Sequence, residues 1–121
     1  MAASGAGATV NRVFLGSDHS QGFNDRFLAD FDILVATEKA DPDSNAKTWK
    51  NVLNYKDAAK PIRETTEFKF KEVQARWVRI HVRAADGARI DEIEIYGGRN
   101  PLAVEPTGKL TTTWAQIKVA N

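Results

Sequence analysis

Ala75-Arg76-Trp77-Val78-Arg79-Ile80-His81-Val82 and Ile90-Asp91-Glu92-Ile93-Glu94-Ile95-Tyr96-Gly97 are the two stretches that decide the fold. In each, apolar and polar residues alternate with period two, the pattern of a strand with one face buried and one in water. The same alternation recurs upstream. Residues 9–15 set Val13 and Leu15 against Arg12 and Phe14, and residues 31–36 put Phe31, Ile33 and Val35 on one face. Residues 67–71 alternate Phe68 and Phe70 with charges, and residues 48–55 carry Trp49, Val52, Leu53 and Tyr55 as the return strand of a hairpin. Between these runs lie turn-rich segments: residues 16–25, the cluster Asp41-Pro42-Asp43-Ser44-Asn45, and a charged connection broken by Pro61. Several short strands separated by turns, in about a hundred residues, predict an all-β antiparallel sandwich.

The chain has 121 residues, enough for a single core. Its 42% hydrophobic and 27% charged residues are those of a folded globular domain. Apolar runs are only a few residues long, so no segment reads as a membrane span and no membrane insertion is expected. A formal net charge of +1 makes no global electrostatic case for nucleic acid. The absence of cysteine excludes a disulfide scaffold and a thiol nucleophile. Residues 1–8, small and without a basic or apolar region, read as a flexible linker or as residues added ahead of the domain, not as a signal peptide.

Four segments in order resemble discoidin-like domains, the coagulation-factor V/VIII C-type or galactose-binding-like family that includes bacterial carbohydrate-binding modules. They are Val10-Asn11-Arg12-Val13-Phe14-Leu15; Asp30 to Ala36 with Trp49-Lys50-Asn51-Val52; Phe68-Lys69-Phe70 running into Ala75 to Ile80; and the terminal Ile90 to Gly97. The resemblance covers residues 10–97 and implies a jelly-roll sandwich over residues 9–97. It also implies a non-catalytic, glycan-binding role within a longer extracellular or cell-surface protein, with a monomer favoured. Two features depart from the family. The hairpin turn is the longer stretch 38–47, and the opening segment that supplies part of the sugar and calcium sites in relatives has no counterpart on the N-terminal side.

The tail, residues 98–121, offers a substitute. Trp114 precedes Ala115, Ile117 and Val119 at the spacing of the missing strand, so a tail strand could complete the sandwich at its edge or centre. The competing reading is a short helix, because Leu110, Trp114 and Ile117 fall at helical spacing. The three threonines 111–113 favour a strand.

Candidate binding residues follow from the chemistry that sugars need: fixed donors and acceptors beside an apolar ring face. Asp18, His19, Asn24, Asp25 and Arg26, with Phe23 nearby, supply these on the first long loop; the alternative is a structured loop in which Asp25 and Arg26 pair or cap backbone. Trp49 is the aromatic candidate, although packing at the start of a strand is the favoured reading. Trp77 lies in the outward register yet is expected to be covered by loops or tail. Arg76, Arg79, His81 and Arg83 string cations along one strand, with Glu92 and Glu94 expected to neutralise them should the two strands be neighbours. By resemblance, Glu92 occupies the family's acidic position near a structural calcium, so calcium is an optional ligand and no cofactor is required. No catalytic motif or phosphate-binding glycine loop occurs, so no enzyme is expected. The alternative function is a structural or protein-interaction sandwich without a sugar site. A third reading, a fragment completed by a partner's strand, predicts a dimer.

Overall fold

The computed structural model describes residues 7–16, 28–38, 47–62, 64–83, 90, 92–97, 100–108 and 112–118. All regular structure among them is β: β1 (Ala8–Gly16), β2 (Asp30–Ala36), β3 (Lys50–Lys56), β4 (Thr66–Ala75), β5 (Trp77–Val82), β6 (Glu92–Gly97), β7 (Asn100–Gly108) and β8 (Thr112–Lys118). Hydrogen bonding links them in the order β3-β2-β5-β8-β7-β6-β1-β4, with every neighbouring pair antiparallel. The array folds into two sheets, β3-β2-β5-β8 and β6-β1-β4, packed as a sandwich.

Besides the connections β1–β2, β3–β4 and β5–β6, the chain passes directly from strand to strand between the sheets at two places. The first is Arg76, between β4 in one sheet and β5 in the other. Its N–H donates to the Ala36 carbonyl at 2.8 Å, and its carbonyl accepts from the Ile117 N–H at 2.7 Å. The bend is therefore tied to both β2 and β8. The second is inside β7, whose residues 100–102 pair with β6 while residues 103–108 pair with β8. Two prolines, Pro101 and Pro106, stand in this strand, which the sequence reading leaves out. Each half of β7 bonds a neighbour on one side only, so each is locally an edge, where a residue without an N–H is tolerated.

The tail forms a strand, not a helix. β8 lies inside the larger sheet between β5 and β7, pairing Trp77 with Gln116 and Ile80 with Thr113. Ile117 is buried in the core. The opening pair of segments, by contrast, is divided: β5 belongs to one sheet and β6 to the other. Glu92 and Glu94 are thus on a strand that does not adjoin the Arg79–His81–Arg83 row, so the condition for the cross-strand neutralisation expected from sequence, that the two strands be neighbours, is not met.

The core comes from the inward positions of both sheets: Val13 and Leu15, Phe31, Ile33 and Val35, Val78 and Ile80, and Ile95. Full burial of each such side chain contributes about 1.5–3 kcal/mol. Alternation alone would turn Val10 and Val13 to opposite faces, yet both are buried. A bulge resolves this, because the β1–β4 register slips between Val10 and Arg12 and rephases the strand. The open side of the sandwich, between edge strands β3 and β4, is closed by rings. Phe31, Tyr55 and Phe68 meet in a triangle with centroids 5.3–5.6 Å apart. At Gly97 the β1 backbone comes so close that a Cβ would overlap the Thr9 carbonyl oxygen, so only glycine fits.

Candidate functional site

The outward residues of the larger sheet form a ladder of cross-strand rows, built by the same alternation that buries their neighbours. Asp30 is level with Lys56 on β3, and its carbonyl accepts from the Arg83 N–H just past β5. The next row is Asn54, Asp32 and His81. Then come Asn51, Leu34 and Arg79, and last Ala36, Trp77 and Gln116, with Trp49 packed against Ala36 and Trp77. The β2–β3 bulge after Ile33 brings Asn51 opposite Leu34.

Two ends of this face differ in chemistry. At the Asp30 end, Arg83 contacts both carboxylates of β2: Nε and Nη2 donate to Asp30 at 3.0 and 2.8 Å, and Nη1 and Nη2 donate to Asp32 at 2.6 and 3.0 Å. The hydrogen bonds from Arg83 hold the Asp32 carboxyl below its ordinary value, against the opposing effect of its partial burial. His81, beside Asp32, is also pushed down, first by burial and then by Arg79 and Arg83. Sequence reasoning saw the cations of this row but missed their counter-ions. The available signal was that Asp30 and Asp32 occupy the polar phase of the strand whose apolar phase is Phe31, Ile33 and Val35.

At the other end the contacts are aromatic. Trp77, 6% exposed, donates its indole N–H to the Glu38 carbonyl at 2.9 Å. The Thr48 hydroxyl donates to the Glu38 carboxylate, joining the two ends of the 39–46 segment. Trp49 is half-buried, and the Arg79 guanidinium lies over its ring at 5.7 Å from the centroid. Trp77 is therefore covered, as expected, with Ala36 and Trp49 packed against it.

The sequence-derived site residues do not all share one place. Asp18, His19, Asn24, Asp25 and Arg26 lie outside the described residues. Of the flanking strands, β1 finishes at Gly16, level with Glu92, and β2 begins at Asp30. Trp49 sits beyond the opposite end of β2, about 20 Å away at the rise of a seven-residue strand. Trp49 is thus not next to the strand ends that carry the first loop. Glu92 belongs to the loop end, half-buried, with its carboxylate accepting from the Thr65 hydroxyl at 3.0 Å. Among the described residues, no group of three or more His, Asp or Glu side chains is placed to hold a metal ion.

No protein-family model matches this chain, and neither the curated proteins nor the solved structures compared with it give a match.

Proposed function

We propose that this chain is a non-catalytic carbohydrate-binding module of a larger extracellular or cell-envelope protein. One observation carries the reading: half-buried Trp49 stands beyond two adjacent outward rows of hydrogen-bonding side chains, Asn51 with Arg79 and then Asn54 with His81. An apolar ring beside several fixed donors and acceptors is the chemistry that sugar recognition uses. The sequence-derived residues His19, Asp25 and Arg26 form a second candidate set.

Calorimetric titration against a glycan panel, with and without calcium, tests the proposal. Trp49→Ala is expected to abolish binding while the protein stays folded, whereas a His19/Asp25/Arg26 triple alanine variant leaves it intact. The reverse pattern would move the site to the loop end, where calcium dependence through Glu92 would also appear. Absence of binding to every glycan in a folded sample would rule the reading out.

A specific contact favours the second reading, a structural or interaction module. Arg79 covers the Trp49 ring, an arrangement that also suits a structural clamp. In that case Trp49→Ala lowers stability and no glycan titrates.

A further inference from the structure

Arg76 is held from two sides where the chain leaves one sheet for the other. Its N–H donates to the Ala36 carbonyl at 2.8 Å, and its carbonyl accepts from the Ile117 N–H at 2.7 Å. β4 ends at Ala75 and β5 begins at Trp77, so Arg76 itself lies outside both ladders. Ala36 and Trp77 together form the surface on which Trp49 packs. The Trp77 indole N–H is tied in turn to the Glu38 carbonyl at 2.9 Å. Just before β1, the chain presses on the same crossing: Gly7 has a φ of +90°, and a Cβ there would overlap the Ala75 carbonyl.

We infer that the end of β8 sets the Trp49 platform through the Arg76 crossing, so that saccharide occupancy at Trp49 and attachment of residues 116–118 are coupled. This rests on the glycan-binding reading and adds the regulation of that same site. Trp77 with Gln116 is the final β5–β8 pair, and the Ile117–Arg76 hydrogen bond continues the attachment one residue further. In the attached state Ile117 is 3% exposed, with its side chain in the core and its N–H on Arg76. In the released state these last residues of β8 lift away, since strand ends open at lower cost than strand centres. Release removes one of the two backbone hydrogen bonds on Arg76 and leaves Trp77, the next residue, able to shift against Ala36 and Trp49. A saccharide that binds the ordered platform more tightly than the loosened one favours attachment, and attachment strengthens binding by the same factor. Each link is a direct contact, from Ile117 to Arg76, then to Ala36 and Trp77, and so to Trp49.

The test uses the whole chain, with cellohexaose, xylohexaose and mannohexaose as probes. Amide hydrogen exchange is followed by NMR with and without each saccharide at saturation. A bound saccharide is expected to slow exchange of the Ile117 amide about fivefold or more beyond any slowing of the β1 and β6 amides, the lower end of ordinary coupling between sites. Two variants approach from the other side. Ile117→Ala loosens the end of β8, and Gly7→Ala crowds the Ala75 carbonyl and stands in should the first fail to fold. The folded variant is expected to bind saccharide about fivefold more weakly, with shifted indole N–H resonances of Trp49 and Trp77. Val13→Ala, a core truncation in the smaller sheet, should leave both readouts unchanged. Equal slowing of all amides, or unweakened binding in the folded variant, overturns the coupling and leaves the glycan reading standing. Weakening of the same size in Val13→Ala also overturns it, because general loosening then explains the loss. Absence of binding to every saccharide overturns both.

Discussion

Arg83, at the end of β5, and Asp32, in the middle of β2, meet fork to fork, with Nη1 2.6 Å from Oδ2 and Nη2 3.0 Å from Oδ1. The same guanidinium holds Asp30 at 2.8 Å, so one side chain clamps two carboxylates that flank buried Phe31. The clamp ties β2 to β5 where the chain enters and leaves the sheet.

Arg83→Ala is expected to cost about 1 kcal/mol, a modest figure because Arg83 is 43% exposed and water screens the pair. The cost has a pH signature. The native pKa of Asp32 is lowered, so its contribution is present above the unfolded carboxylate value of about 3.9 and is lost as pH falls through the lower native value. Urea denaturation of both proteins at neutral and at strongly acidic pH should show the gap closing in acid.

His81 works in the same direction over a higher range. Its native pKa lies below the ordinary imidazole value, so as pH falls the unfolded chain takes up a proton before the folded one. The associated stability is complete above about pH 6.5 and is lost on acidification through the lower native pKa. Substituting His81→Gln should flatten the slope of unfolding free energy against pH between about pH 7 and pH 5. An unchanged slope would show that His81 titrates in the fold as it does in the unfolded chain.

Trp77→Phe removes the indole donor from the Glu38 carbonyl and thins the packing against Ala36 and Trp49. A loss of about 1–2 kcal/mol is expected, from one hydrogen bond with its unsatisfied partner. Tryptophan fluorescence of the remaining two indoles should report loosening at Trp49 before global unfolding. Coincident transitions would contradict that order.

Ile117→Ala tests whether the tail belongs to the core. Ile117 is 3% exposed, and its N–H anchors the Arg76 crossing. An isoleucine truncation in a packed interior costs about 2–5 kcal/mol, a large share of a small domain's stability. A change near zero in thermal or chemical denaturation would mean that β8 is dispensable.

The strand content was largely legible in the sequence because burial of one sheet face imposes period two on each strand separately. The residues 31–36 and 75–82 carried that signal without interruption, and β2 and β5 fall where it predicts. β7 was not legible, because Pro101 and Pro106 disguise a strand whose halves are edges in different sheets. Nor could alternation foresee that Val10 and Val13 both face inward across a bulge.

The candidate site was legible only in part. Trp49, Arg79 and His81 stood out as residue types in outward positions, and so did the expectation that Trp77 is covered. Their assembly into one face with Asp30, Asp32 and Asn51 needed the strand order. So did the separation of Trp49 from the strand ends that flank residues 17–27, because that depends on which end of β2 each segment meets.

By itself, then, the sequence determined an antiparallel sandwich, its inward residues, and a tail with the makings of a strand. These follow from local rules: residue pattern, turn chemistry and β-branched composition. The tertiary structure alone decided the partners. It put β8 between β5 and β7, sent β5 and β6 to different sheets, and matched Arg83 with Asp30 and Asp32 instead of leaving Glu92 and Glu94 to balance the row. Strand pairing is a long-range choice, set by which apolar faces and backbone edges must be covered at once, and alternation within a segment carries no information about it.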